Sequence, residues 1–173
     1  MKAVRCRSFG DSGVLVLEDA DCPVAGPGQV VVKVAGAAFN PVDAAIPTGF
    51  LRQVFPVAFP HSTKYEHGAN YDMAGVITEI GEGVSGWRSG DAVVASLPMT
   101  GPGAAEYVAA PAETLAAAPR TVELADAAAL PLAGLAAWQS LFEHANLKAG
   151  QSILINGAGG AVGGCAVQLA QTL

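Results

Sequence analysis

Residues 152–163 constrain this chain more than any other stretch. Ser152-Ile153-Leu154-Ile155-Asn156 has the length and apolar content of a short buried strand. It runs straight into Gly157-Ala158-Gly159-Gly160-Ala161-Val162-Gly163. From Gly164 to Leu173 the spacing is helical, with Val162, Cys165, Ala166, Leu169 and Leu173 on one face. A strand, a glycine-rich turn and a helix in this order open a doubly wound parallel sheet and present main-chain N–H groups to a pyrophosphate. Gly160 and Gly163 hold the second and third glycine positions of a dinucleotide-binding turn, and Ala158 takes the first. The residue that reads the ribose normally follows on the next strand. The chain reaches Leu173 before it, so the cofactor site is expected to be begun here and not completed.

A net charge of −6 with no run of Lys or Arg argues against nucleic acid and anionic membrane as partners. The start, Met1-Lys2-Ala3-Val4-Arg5-Cys6, lacks the apolar core of a signal peptide. The longest uncharged apolar stretch, Ala127 to Trp138, contains Pro131 and falls short of the roughly 20 residues that span a bilayer. A soluble, cytoplasmic protein is expected. Cys6, Cys22 and Cys165 are far apart, without a Cys-x-x-Cys, which predicts no structural zinc site. Cys165 reads as a small apolar residue packing on the sheet.

The first part of the chain is strand-rich. Lys2–Ser8 and Val14–Asp19 flank the turn Gly10-Asp11-Ser12-Gly13. Gln29–Phe39 alternates, with Val30, Val32 and Val34 on one face. Asn40-Pro41-Val42-Asp43 predicts a short helix with Asn40 as N-cap and Pro41 at the first helical position. Tyr71–Ile80 with a break at Gly75, Ala92–Ala95 and Ala104–Ala110 are further strands, and many short strands with glycine turns predict a small β-barrel. From Pro111 the chain becomes alanine-rich. Ala112–Ala118, Leu124–Leu130 and Leu132–Ala145 are read as helical, the last with Leu135, Trp138, Leu141 and Phe142 as its apolar stripe.

This order of segments resembles the medium-chain dehydrogenase/reductase superfamily, in particular its zinc-free quinone oxidoreductase branch. The resemblance is carried by Asn40-Pro41-Val42-Asp43 with Gly49, by Asp72-Met73-Ala74-Gly75-Val76-Ile77 with Gly81-Glu82-Gly83-Val84 and Gly90-Asp91-Ala92-Val93, by Gly103-Ala104-Ala105-Glu106-Tyr107-Val108, by Ala127–Phe142, and by Asn156–Gly163. It implies a mixed α and β fold: a GroES-like β-barrel domain over residues 1–120, then over 121–173 a linking helix and the first βα unit of a Rossmann domain. It also implies further Rossmann strands and a returning C-terminal segment beyond this sequence, and an active site in a cleft. The zinc-dependent branch carries Gly-His-Glu where this chain has Asn70-Tyr71-Asp72, which implies no metal. The Tyr and Thr common near the nicotinamide stand here as Phe50 and Ala136, and His61–Asn70 reads as an insertion.

The implied activity is hydride transfer from NADPH, or NADH in its place, to a small-molecule quinone or enone. Such a reaction needs the ring held about 3–3.5 Å from the acceptor carbon and a donor for the developing oxyanion. By family position Asn40 is the candidate donor, with Asp43 orienting the helix or a neighbour; helix capping and surface charge are the plain alternatives. Tyr71 and Tyr65 are candidate replacement donors, with core packing the simpler role for Tyr71. Asn156, Gly157, Gly160, Ala161, Val162 and Gly163 are expected to hold the cofactor diphosphate. His61, Glu66 and His67 do not by themselves define a metal geometry, and His144 suits a helix C-terminus. The alternative to an enzyme is a truncated GroES-like scaffold or assembly module. The edges of Ile153–Ile155 are expected to be covered by a partner, a homo-oligomer or a complementing chain, or to pack onto the barrel in an unusual way.

Overall fold

The computed structural model describes residues 1–54, 67–68, 70–98 and 103–173. The chain forms two compact units, Met1–Ala129 and Leu130–Leu173.

The first unit carries two antiparallel sheets. In the smaller, β1 (Lys2–Cys6) lies between β2 (Leu15–Asp19) and the two-residue β4 (His67–Gly68). In the larger, the order is β7-β3-β5-β6-β8, with β3 at Gln29–Ala38, β5 at Asp72–Ile80, β6 at Ala92–Ser96, β7 at Tyr107–Pro111 and β8 at Leu115–Ala117. The sheets are stitched by a single bridge, Ala3 to Ala105, flanked by the Val4 N–H on the Ala104 carbonyl (2.8 Å) and the Glu106 N–H on the Lys2 carbonyl (3.0 Å). Among the described residues they do not close into the expected barrel; one bridge replaces a full ladder.

The alternation of β3 holds on the predicted face: Val30 and Val32 are fully buried against Met73, Ile77, Val93 and Val108. Val31 is buried as well, so the opposite face is also covered near the start of the strand. The β3–β5 ladder slips register at Val31/Val32 and again at Val34/Gly36, the irregularity that Gly75 had suggested as a break. Residues 112–118 correct the sequence reading. They form a 3-10 turn (Ala112–Thr114) and β8, which pairs Leu115, Ala116 and Ala117 with β6. Alanine favours a helix, but β6 offers an open row of hydrogen-bonding groups, and that tertiary pairing overrides propensity.

In the second unit, α3 (Pro131–Trp138) passes into a π-helical stretch, Gln139–His144. Trp138 and Phe142 meet edge-to-face with centroids 4.6 Å apart. The helix α4 (Ala161–Ala170) follows the glycine turn, and its Ala166 packs with Ala137 and Leu141. Ser152–Asn156 is not a strand, contrary to expectation. A strand is defined by its ladder, and among the described residues none lies beside this segment. Ile155 packs toward the Ala137–Leu141–Ala166 cluster while Leu154 is 93% exposed. No described helix is long and apolar enough to cross a membrane.

Candidate functional site

Two groups of predicted residues are organised by the fold, one in each unit. The first is built around Asn40. The strand β3 ends at Ala38, which is registered against Asp72, the first residue of β5; on its other side Asp72 is registered against Ser96 of β6. This pairing brings the residues just beyond β3 over the start of β5. Asn40 there caps α1 (Pro41–Ala45), with Pro41 at the first helical position. Asp43 closes a capping box with it, its Oδ2 accepting the Asn40 main-chain N–H at 2.6 Å. The Asn40 side chain reaches across to β5, where its Nδ2 donates to Asp72 Oδ2 at 3.1 Å.

Asp72 is completely buried and Asp43 nearly so. The Asp43 Oδ1 atom is buried with no hydrogen-bond partner. Burial raises the Asp43 pKa above the ordinary carboxylate range, the Asn40 main-chain N–H opposes that rise, and the charge of Asp72 adds to it. A carboxyl whose folded pKa lies above its unfolded value binds its proton more tightly in the native state. Its stabilising contribution is therefore full below the ordinary carboxylate pKa and is lost as pH rises through the raised one. Asp43→Asn does not titrate. Its melting temperature should gain on the wild type as pH climbs through that interval, and parallel melting curves across it would show that Asp43 titrates normally.

Asn70 steers the chain into β5. Its φ of 67° is left-handed, its side chain donates to the Ala38 carbonyl at 2.8 Å, and its own carbonyl accepts the Gly103 N–H at 2.8 Å. Tyr71 sits in the bend that follows and Asp72 is the first residue of β5, and the two enter different surroundings. Asp72 meets Asn40. Tyr71 is buried with Cys6 and Ile46, beside Phe9, Val42 and Leu51. Burial, reinforced by Asp43 and Cys6, raises the Tyr71 pKa above its ordinary value, so the phenol stays protonated. Phe50 is 55% exposed at the start of α2 (Phe50–Val54), and Ala136 lies on α3, where its carbonyl accepts the Ser140 hydroxyl at 2.7 Å. Tyr65, His61 and Glu66 lie outside the described residues. Asp72 was overlooked as a site residue. Its signal was the acid at the head of the strand, in the place where the resemblance puts the Glu of the zinc-dependent branch.

The second group is the turn 156–163. Gly157 has φ +78°, and its carbonyl accepts the Gly160 N–H at 3.0 Å. Gly160 caps α4, and the Gly164 N–H returns to the Gly160 carbonyl at 2.7 Å. The main-chain N–H groups of Gly157, Ala158, Gly159, Ala161, Val162 and Gly163 have no main-chain acceptor among the described residues. A Cβ on Gly163 would fall on the Gly157 carbonyl oxygen and 2.8 Å from Ala158 Cα, so only glycine lets the helix approach its own turn. The turn thus collects unsatisfied donors at the positive end of a ten-residue helix. That chemistry fits an anionic diphosphate.

The family model described as the alcohol dehydrogenase GroES-like domain matches residues 26–120. This chain belongs to that family. It is 38% identical over 179 residues to the chloroplast envelope quinone oxidoreductase homolog of Arabidopsis thaliana, covering 99% of this chain and 52% of the relative. A crystal structure of an alcohol dehydrogenase superfamily protein from Novosphingobium aromaticivorans superposes with a TM-score of 0.88 at 32% identity, covering 99% of this chain and 50% of that one. A native mycobacterial protein complexed with NADPH gives a TM-score of 0.82 at 27% identity, with 99% and 50% covered. The chain spans about half the length of the curated relatives it matches. It corresponds to the N-terminal portion of a medium-chain dehydrogenase/reductase, as the sequence motifs implied.

Proposed function

We propose that this chain is the N-terminal portion of a zinc-free, NADPH-dependent reductase of quinones or enones. The observation that carries the reading is the row of unpaired N–H groups at the Gly157–Gly163 turn, in a family whose relatives include a named quinone oxidoreductase homolog and an NADPH complex. The nicotinamide, when bound, supplies the hydride. Asn156, Gly157, Ala161, Val162 and Gly163 hold the diphosphate through main-chain donors, and Gly160, whose own N–H is taken by the Gly157 carbonyl, lets the backbone approach it. Asn40 donates from Nδ2 to the substrate oxygen on which negative charge develops. Of its two hydrogens, Asp72 takes one and so fixes the plane of the amide. Asp43 holds the helix start in place, and Tyr71, protonated and buried, backs the same region.

The test is calorimetric titration of the protein with NADPH, followed by turnover assays on 9,10-phenanthrenequinone. Saturable binding is expected, and its absence in a protein extended to the relatives' length removes the reading. Tyr71→Phe separates packing from chemistry: unchanged kcat assigns the ring to the core, whereas a loss of roughly a hundredfold assigns the hydroxyl to the reaction. The alternative, a scaffold module, draws on Phe50 and Ala136 standing where polar groups are usual. A folded protein that binds NADPH without any turnover would favour it.

A further inference from the structure

The chain holds four asparagines, and their successors differ: Asn40-Pro41, Asn70-Tyr71, Asn146-Leu147 and Asn156-Gly157. An asparagine is lost spontaneously when the main-chain nitrogen of the next residue attacks its side-chain carbonyl carbon. The attack needs a free N–H, a mobile amide and little steric bulk at the following residue. Pro41 has no N–H, and the Asn40 amide is tied to Asp72. The Asn70 amide is tied to the Ala38 carbonyl. The Leu147 N–H is committed to the Leu141 carbonyl at 2.9 Å.

Asn156 has none of these protections. It is exposed, and its side chain makes no hydrogen bond among the described residues. Among the described residues the Gly157 N–H has no main-chain acceptor, and nothing lies within 4 Å of where a Gly157 Cβ would stand. The positive end of α4 nearby favours the deprotonated nitrogen that makes the attack.

We propose that Asn156 is a site of spontaneous deamidation, and that its modification disables the nucleotide turn. The Gly157 nitrogen loses its proton to solvent and bonds to Asn156 Cγ. The Cγ–Nδ2 bond breaks and ammonia departs with a proton from water, leaving a five-membered succinimide. Water then opens either carbonyl, giving aspartate or isoaspartate; no oxidant or reductant is involved. Both products put a carboxylate beside the unpaired N–H groups, where it competes with and repels a diphosphate. Isoaspartate also lengthens the main chain inside a turn that Gly163 shows to be tightly packed. This second consequence rests on the proposed nucleotide reading. Under that reading a bound diphosphate occupies the Gly157 N–H and slows the attack, so an empty site ages faster than a filled one.

The protein is incubated at mildly alkaline pH and followed by peptide mass spectrometry that distinguishes aspartate from isoaspartate. Asn156 is expected to convert roughly tenfold or more faster than Asn70 and Asn146, since Gly157 lacks the bulk of Tyr71 and Leu147. In Asn156→Gln the peptide should stay unmodified. An Asn156 that persists as long as the other two overturns the site. Asn156→Asp, made directly, should bind NADPH roughly tenfold more weakly than freshly prepared wild type, because a fixed anion faces the donors. Equal affinity overturns the disabling effect. A wild type extended to the relatives' length that fails to bind NADPH removes that effect together with the reductase reading, and the mass spectrum alone then decides the modification.

Discussion

Gly163→Val is expected to abolish dinucleotide binding and to melt the second unit well before the first. The new Cβ would be forced onto the Gly157 carbonyl oxygen and to 2.8 Å from Ala158 Cα. Both are main-chain atoms, so no side-chain rotation relieves the clash, and α4 must lift away from its turn. Overpacking of this kind costs about 3 kcal/mol or more. The second unit has only a small core around Ala137, Leu141 and Ala166 with which to absorb it. Calorimetric melting and NADPH titration of the same preparation read the two effects together. Gly159→Ala is the control: its Cβ meets nothing within 4 Å, and its melting temperature should stay within about 0.5 kcal/mol of wild type in free-energy terms. If Gly163→Val binds NADPH as the wild type does, the close approach of helix and turn has no part in holding the cofactor.

Asp72→Ala should produce the second large effect, in the first unit. It strips the acceptor from Asn40 Nδ2 and opens a polar hole in a fully buried position. A buried hydrogen bond to a charged group is worth about 2 kcal/mol, and that much stability should be lost. On the proposed mechanism the loss of activity is larger than the loss of stability would suggest. An Asn40 amide free to rotate no longer holds its second hydrogen toward the substrate, and kcat should fall roughly a hundredfold with KM less affected. Asp72→Asn keeps the shape and one acceptor oxygen, and it should restore most of the melting temperature and part of kcat. A variant that loses stability while keeping full kcat would make Asp72 a structural residue only.

Much of the first unit was legible in the sequence because its signals are local. The valine alternation of β3, the Asn40-Pro41 helix start and the glycine punctuation around β5 and β6 each state their own structure. The errors share one cause, which is that pairing partners are not local. Residues 112–118 look helical by composition and become a 3-10 turn and β8 because β6 has a free edge beside them. Ser152–Asn156 looks like a strand by composition and has no ladder, because no described strand lies next to it. The same limit hid Asp72. Its bond to Asn40 spans 32 residues and depends on a β3–β5 register containing two slips, which no count along the chain would reproduce. The turn at 156–163 was read more fully because each of its contacts falls within a few residues.

The left-handed backbone at Asn70 has a consequence for how such a chain tolerates change. Which face of β5 meets the amide is a question of odd or even, settled by the register that sets Ala38 against Asp72 and held by the Asn70 hinge just ahead of it. Residues gained or lost upstream of β4 are counted before that hinge and leave the parity untouched. Sequence there is free to drift in length, while valine in place of Asn70, which resists φ near +67° and cannot donate to the Ala38 carbonyl, would strain the entry to β5 and loosen the contact between Asn40 and Asp72.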